Sequence, residues 1–345
     1  MAFNQPALRL SAWKNELSRR LDSDVHLIMG PWTHSGDTRS YAGDVEFGSD
    51  AAIQDFHHEF HLRWFDRVLK GKRGDAMAPV QAFVMGTGDG HKDGNGKLYH
   101  GGEWREASEW PLPGTEFVPF YFQEDGTLSA DKPGGKSSAT TYRSDPDNPV
   151  PTIGGSFSST SPVFEPGAYD QRTSADVFGA EPPYLPLKSR SDVVVFQTAP
   201  LEQDVVVVGP VVVKLHVSSS APDTDFTAKL VDVYPPSADF PTGFEMNITD
   251  GIVRARYRER PDQPVLMEEG GTYEIEITPF PTANVFKKGH RIRVDIASSN
   301  FPRFDINPNT GEALGRHRNK QTAENTIMHS ADRPSHIVLP IIPAN

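Results

Sequence analysis

The sequence predicts a mainly β protein with a short α/β segment at its N-terminal end. Residues 78–345 contain about nine strand-like apolar runs separated by turns, and several of them alternate apolar and polar residues, as half-buried strands do. The 30 prolines and 29 glycines are spread through 345 residues without a period, which is typical of short strands joined by turns. Together these observations favour a β-rich globular fold over a helical or low-complexity one.

The first 75 residues or so have a different pattern. Residues 7–21 carry apolar side chains at helical spacing, and the apolar run Val25–Met29 follows and ends at Gly30-Pro31. A second helix is predicted over residues 53–69, closed by Lys70-Gly71 with cations in its last turn. One helix–strand unit cannot bury both faces of its strand, so we expect the rest of a sheet upstream or from a partner chain.

The remaining chain is predicted to form an antiparallel sandwich of two sheets, with a jelly roll as the favoured type. A long irregular segment, residues 134–191, interrupts the strands, and its aromatic residues favour a packed loop. The strand-like runs are, in order, Val80–Met85, Phe117–Phe122, Asp192–Phe196, Val205–Val217, Phe226–Val233, Gly251–Tyr257, Thr272–Ile277, Arg291–Ala297 and His336–Ile342.

Composition excludes several classes of protein. A net charge of −12 opposes the phosphate attraction that drives nucleic-acid binding, so no nucleic-acid partner is expected. The chain has no cysteine, which excludes disulfides, thiolate zinc sites and thiol nucleophiles. No apolar run of about 18 residues predicts a membrane helix. We expect a soluble protein without a membrane partner, with a cytoplasmic location favoured and the compartment otherwise open.

The string Gly30-Pro31-Trp32-Thr33-His34 points to chemistry. It directly follows the predicted buried strand, and the carboxyl ends of strands are where α/β sheets place catalytic groups. Imidazole titrates near neutrality, so it can take and return a proton. In the Ser, acid, His order of α/β-hydrolases the histidine comes last. His34 is therefore a candidate catalytic base, and a polar surface histidine is the alternative interpretation.

Two further motifs favour structural roles over metal binding. His57, His58 and His61 share one predicted helix, but they lack the order His-Glu-x-x-His and a third ligand, so no metal site is predicted. The run Asp89–Asn95 resembles the start of a calcium loop without its final glutamate, and it predicts a hairpin tip instead.

No nucleophile motif occurs in the chain. Gly-x-Ser-x-Gly is absent, and the nearest string, Gly154–Ser158, lacks the second glycine and a strand–turn–helix context. The carboxylates of Asp223-Thr224-Asp225 are interpreted as hydrogen-bonding groups of a turn before a strand. The sequence thus offers a candidate base without a serine for it to activate.

A set of strings, taken in order along nearly the whole chain, resembles the cocaine esterase / X-Pro dipeptidyl-peptidase (CocE/NonD) family of serine hydrolases. The resemblance implies the end of an α/β-hydrolase domain over residues 1–76, followed by a jelly-roll domain over residues 77–345. The matching strings are Gly30–His34, Phe60–Asp66, Leu69–Gly71, Val80–Gly86, Glu103–Arg105, Glu109–Pro111, Asp223–Val233, Asp250–Arg258, Gly289–Arg293 and Ser298–Asp305.

The resemblance also implies a Ser-Asp-His triad that cleaves an ester or amide and needs no cofactor or metal. His34 matches the triad histidine, while the serine and aspartate are expected upstream of Met1. Trp32 and Phe157 are candidate pocket residues, although the insertion Glu165–Leu187 departs from the family pattern. The implied partners are a small ester or peptide substrate and an upstream hydrolase fragment or a second copy of the chain. The alternative is a non-catalytic jelly-roll module that binds another molecule.

Overall fold

The structure is a computed structural model that describes residues 25–72, 77–157 and 163–343. The predicted helix at residues 7–21 lies outside the described residues, and so do residues 73–76, where the two predicted domains meet. The described strands are β1 Leu27–Met29, β2 Tyr41–Ala42, β3 Val45–Glu46, β4 Val80–Met85, β5 Leu98–Tyr99, β6 Gly102–Ala107, β7 Glu116–Phe122, β8 Leu128–Ser129, β9 Ala139–Ser144, β10 Val194–Gln197, β11 Val205–Gly209, β12 Val212–Ser219, β13 Asp225–Tyr234, β14 Phe244–Arg254, β15 Tyr273–Ile277, β16 Thr282–Phe286, β17 Arg291–Ala297, β18 Ala323–Ser330, β19 Arg333–Pro334 and β20 His336–Ile342.

Helix is sparse among the described residues. A π-helical segment, His57–Leu62, leads directly into the α-helix α1, Arg63–Lys70. Short 3-10 turns lie at Ser49–Ala51, Leu187–Ser189 and Ala255–Tyr257. The prediction of a mainly β protein is therefore confirmed. No helix in the described ranges is long and apolar enough to cross a membrane.

Two sheets face each other across the main core. A branched 13-stranded sheet runs in the order β1-β4-β16-β11-β20-β12-β18-β19, with β6, β7, β8, β9 and β15 joined to its sides, and a four-stranded sheet runs β10-β17-β13-β14. All pairings within the four-stranded sheet are antiparallel. The longest, β13 with β14, contains a register shift between Leu230 and Val231, as a bulge produces.

The alternating residues of both sheets fill the space between them. On β12, Val213, Leu215 and Val217 point into the core, while Lys214 and His216 between them are only partly covered. This is the period-2 burial expected of a strand with one solvent-facing side. The four-stranded sheet contributes apolar side chains opposite them, among them Phe196, Phe226, Leu230, Ile292, Val294 and Ile296.

The N-terminal segment, residues 25–72, is attached to this sandwich through two sheets. Strand β1 pairs in parallel with β4, with Leu27 opposite Val80. Strands β2 and β3 form a hairpin that continues in parallel with β5, so that Val45 lies opposite Leu98. The segment that carries His34 is therefore held against the β-rich part of the chain by backbone pairing.

Helix α1 ends as its sequence predicts but buries none of its side chains. Gly71 has the left-handed φ of 63°, and its N–H bonds the Arg67 carbonyl, as in the αL motif that ends helices, while Lys72 N–H bonds the Asp66 carbonyl. The apolar residues of the predicted helix are only partly covered. Phe65, Val68 and Leu69 have 47%, 46% and 73% of their surface open to solvent, and Leu62 in the π-helical segment has 46%. Ile53 is buried, and Phe56, Phe60 and Trp64 are half-buried. The described residues therefore leave one side of the helical segment uncovered.

Candidate functional site

The loop after β1 is shaped by Trp32. Its indole N–H donates to the Ala51 carbonyl at 2.7 Å, and its ring packs edge-on against Phe56 and at a tilt against Trp104. The ring also lies over Gly30, where an added Cβ would come within 2.4 Å of it. Only glycine fits beneath the indole, so the Gly-Pro-Trp order is required for this local fold.

A cavity of about 130 Å³ opens beside this loop. Its walls come from both parts of the molecule, and aromatic rings of Phe47 and Phe83, both nearly fully buried, form part of them. The remaining described lining includes Met29, Gly30, Pro31, Trp32, Thr33, Met85, Gly155, Ser156, Gly167, Ala168, Met246 and Ile248. We call this space the junction pocket, because it lies where residues 25–72 meet the sandwich.

Three loops behind the junction pocket are held together by close backbone contacts at glycine. Gly155 and Gly167 exchange backbone hydrogen bonds, with Gly155 N–H to Gly167 O at 2.8 Å and the return bond at 3.1 Å. A Cβ on Gly167 would lie 2.6 Å from the Gly43 nitrogen, and Gly167 has a φ of 135°. The unusual insertion Glu165–Leu187 therefore begins as part of the pocket wall.

His34 adjoins this pocket along the chain. It follows the lining residues Trp32 and Thr33 directly, and its side chain is exposed. A turn holds it, since Gly36 N–H donates to the Thr33 carbonyl at 3.0 Å and Ser35 takes a left-handed φ of 58°. Its imidazole makes no hydrogen bond to any of the described residues. An exposed imidazole at a pocket mouth can exchange protons with a group that approaches from outside.

The two candidate pocket residues differ in their placement. Trp32 lines the junction pocket, as expected of a pocket residue. Phe157 follows the lining residues Gly155 and Ser156, but its own ring packs on Phe164 at 4.5 Å and under the guanidinium of Arg303 at 5.5 Å. Phe157 thus supports the wall from behind in this structure.

Acidic groups lie on the far side of the same wall. Burial raises the pKa of Asp44, and Lys97 opposes part of that effect. Burial together with nearby Glu165 and Asp44 raises the pKa of Tyr169 to about 12, so its hydroxyl stays protonated at neutral pH. Burial also raises the pKa of Asp170. These groups border the pocket wall without lining the junction pocket itself.

The other polar motifs take structural roles. His57 and His61 approach each other at 2.8 Å between their Nδ1 atoms, whereas His58 bonds Asp55. Across the described ranges, no group of three or more His, Asp or Glu side chains is placed to hold a metal ion. At the predicted hairpin tip, the Asp93 carboxylate accepts from two backbone N–H groups at 2.8 Å.

Asp223 and Asp225 differ from the turn role expected of them. Both are buried, and each forms an ion pair, Asp223 with Arg256 and Asp225 with Arg254. Asn307 donates to both carboxylates, at 2.8 and 2.7 Å. The two arginines follow on β14 and the turn after it, so the partners come from across the sheet, which a local turn interpretation cannot foresee.

Comparison with known proteins identifies the family. Residues 74–338 match the X-Pro dipeptidyl-peptidase C-terminal non-catalytic domain, and the chain belongs to that family. It is 41% identical over 339 residues to cocaine esterase of Rhodococcus sp. strain MB1 Bresler, covering 93% of this chain and 52% of the relative. The resemblance to the cocaine esterase / X-Pro dipeptidyl-peptidase family is confirmed.

Solved structures agree with this assignment. An α-amino acid ester hydrolase superposes with a TM-score of 0.76 at 27% identity, covering 98% of this chain and 53% of its own. An aminopeptidase from a marine sediment Thaumarchaeota archaeon superposes with a TM-score of 0.75 at 25% identity, covering 96% and 52%. The chain thus spans about half the length of these relatives, and it matches the C-terminal part of the esterase. His34 lies outside the range that matches the non-catalytic domain.

Proposed function

We propose that this chain supplies the general base and one wall of the acyl pocket to a serine hydrolase that cleaves an ester or amide. The observation that carries the proposal is that His34 is exposed and directly follows Trp32 and Thr33, which line a pocket built jointly by residues 25–72 and the β-rich part. The relatives' names support the class of reaction, since they include an esterase, an ester hydrolase and an aminopeptidase.

The proposed mechanism gives His34 two proton transfers. Its imidazole accepts the proton of a serine as the serine oxygen attacks the acyl carbonyl, and it then donates that proton to the leaving alcohol or amine. In the second half, it accepts a proton from the water that attacks the acyl-enzyme. The serine and the carboxylate that orients the imidazole would come from an α/β-hydrolase domain, of which residues 25–72 would be the last part.

The exposed face of α1 supports the need for such a domain. Leu62, Phe65, Val68 and Leu69 lie on one side of the helical segment and remain about half or more open to solvent. A contiguous apolar face of this kind marks a surface that another element covers. We propose that the sheet of the hydrolase domain covers it.

The junction pocket supports an apolar acyl group as the part of the substrate that this chain contacts. Its lining includes three aromatic rings and three methionine side chains, which alternate with small residues and with the polar groups of Thr33, Ser156, Asn247 and Thr282. Apolar pockets with a few oriented polar groups are the usual form of small-molecule sites. Its volume of about 130 Å³ suits a small acyl group and not an extended peptide.

The proposal is tested with the purified 345-residue chain and a p-nitrophenyl ester. We expect no turnover above the buffer rate and no labelling by a fluorophosphonate, because the sequence lacks the Gly-x-Ser-x-Gly motif that presents an activated serine. Robust turnover that is lost in His34→Ala would contradict the proposal that the triad serine comes from another domain. A glycan screen of the same preparation tests the alternative function, a jelly-roll binding module, which would show specific binding there.

A further inference from the structure

A buried arginine lies behind the wall of the junction pocket. Arg303 follows β17 in the segment that returns beneath the loop at residues 150–157, and only 7% of its side chain is exposed. Its guanidinium lies over the rings of Phe157, at 5.5 Å, and Phe304, at 5.0 Å. A desolvated cation over aromatic faces is an attractive contact in its own right.

Arg303 contacts two neighbouring residues of the pocket wall, Gly155 and Ser156. Its Nη2 donates to the Ser156 carbonyl at 3.1 Å. A Cβ added to Gly155 would lie 2.8 Å from its Nη1, so the guanidinium occupies the space that a side chain at that position would need. Gly155 has a φ of 120°, a conformation that other residues rarely adopt. The backbone of the wall is thus shaped to receive this arginine.

A buried polar network holds the guanidinium in place. Its Nη1 donates to the Asp250 carboxylate, whose other oxygen accepts from Asn300 at 2.8 Å. Asn300 in turn accepts from the Thr152 hydroxyl at 2.8 Å, and Thr152 N–H bonds the Phe301 carbonyl at 2.7 Å. All these partners are nearly fully buried except Phe301, so the arginine has a fixed position. Such networks specify one arrangement when every member is satisfied.

We propose that Arg303 is a positioning residue that sets the width of the junction pocket through Ser156 and Gly155. Charge-assisted hydrogen bonds in a desolvated site are geometrically strict. Loss of the Nη2 donor to the Ser156 carbonyl therefore lets the wall move, even when a positive charge is kept beside Asp250. What the pocket binds rests on the proposed function, whereas the positioning itself is a property of this chain alone.

The test uses methyl NMR of the chain with 13C-labelled methionine. Three of the seven methionines, Met29, Met85 and Met246, line the pocket, and Met328 lies outside it as an internal reference. Arg303→Lys keeps the charge but removes the forked geometry, and we expect it to shift the three pocket signals and leave that of Met328 unchanged. Arg254→Lys is the matched control, because Arg254 forms a second buried ion pair, with Asp225, away from the pocket.

The same samples are titrated with 4-fluorobenzamide, observed by 19F NMR. We expect Arg303→Lys to weaken its binding at least about fivefold, which is about 1 kcal/mol, and Arg254→Lys to leave it unchanged. Unmoved pocket signals in a folded Arg303→Lys, or equal shifts in both variants, would overturn the positioning role. Shifted signals without any binding to the unaltered chain would uphold that role and count against the proposed acyl pocket. If Arg303→Lys fails to fold, Phe157→Leu must shift the pocket signals for the proposal to stand.

Discussion

The sandwich and the helical segment at residues 57–70 both carry large apolar side chains, but they differ in how far these are buried. Between the sheets, Leu215, Ile275 and Ile277 are completely buried, whereas the helical segment contains no buried residue. The sandwich therefore completes its own core, and the helix presents an apolar face that nothing in the described residues fully covers. The difference separates a part of the chain whose core is complete within the described residues from a part whose apolar face those residues leave open.

Truncating a core ring should expose this difference most strongly. Phe196 is 1% exposed and stacks on Phe122 with 4.2 Å between ring centres, so Phe196→Ala should lower the free energy of unfolding by about 3–5 kcal/mol. Phe65→Ala on the exposed helix face should change it by less than about 0.5 kcal/mol. Urea denaturation of both variants measures the contrast. Equal losses would show that α1 is part of the same core.

A similar contrast applies to ion pairs. Arg256 and Asp223 are almost completely buried, and Arg256→Ala leaves the carboxylate without its cation, which should cost about 3 kcal/mol. Arg260 and Asp262 form an exposed pair, so Arg260→Ala should cost less than about 0.5 kcal/mol. Chemical denaturation again gives both values. A small loss in Arg256→Ala would mean that Asn307 alone satisfies Asp223.

A smaller effect is expected from a buried histidine that joins the sandwich to the strand β3 of the N-terminal segment. His100 is fully buried, bonds Tyr234 and Asn284, and its backbone N–H donates to the Glu46 carbonyl of the N-terminal segment. Burial lowers its pKa, and nearby Asp232 opposes only part of that effect. Below its ordinary value of about 6.5 the unfolded chain therefore takes up a proton that the folded chain refuses, so stability falls as the pH falls.

Replacing that histidine should remove this part of the pH dependence. His100→Gln keeps a side chain that can donate and accept hydrogen bonds but does not titrate. Between pH 7.5 and 5.5, the unaltered chain should lose about 1 kcal/mol more stability than His100→Gln does. Urea midpoints at the two pH values measure it. Parallel losses in both proteins would show that His100 becomes protonated in place.

Much of the β-rich fold is predictable from local patterns. Val80–Met85, Arg291–Ala297 and His336–Ile342 form strands with the expected bounds, because their apolar residues alternate or run continuously. The expected strand Val205–Val217 is divided into β11 and β12 at Gly209-Pro210, where φ of Gly209 is 146° and proline has no N–H to donate. Gly-Pro within an apolar run is a signal that could have located this break.

The strands that the sequence did not predict lack the apolar signal. On β18 the inward positions include Asn325 and His329, both fully buried and satisfied by hydrogen bonds to side chains of distant strands. In β16 all five residues are buried, yet Asn284 sits at its centre and bonds His100. These polar residues are buried because their hydrogen-bond partners are remote in sequence. A prediction based on apolar periodicity therefore misses the strands that contain them.

For the candidate site, the sequence indicates His34 and Trp32 but not the opposite wall. Gly-Pro-Trp-Thr-His is contiguous, and its position after a strand is visible locally. Ser156, Met246 and Arg303 come from three separate parts of the chain, and only the folded arrangement places the first two in the pocket wall and Arg303 behind it. Their role follows from tertiary contacts that no local spacing encodes.

A chimera tests whether His34 is the base of a triad that another domain completes. The N-terminal part of cocaine esterase that this chain does not cover is joined to the chain, and kcat for ester hydrolysis is compared between His34→Ala and the exposed-histidine control His58→Ala. We expect His34→Ala to lower kcat by roughly 10⁴-fold or more and His58→Ala to leave kcat unchanged. An active chimera whose kcat is the same with and without His34 would contradict it.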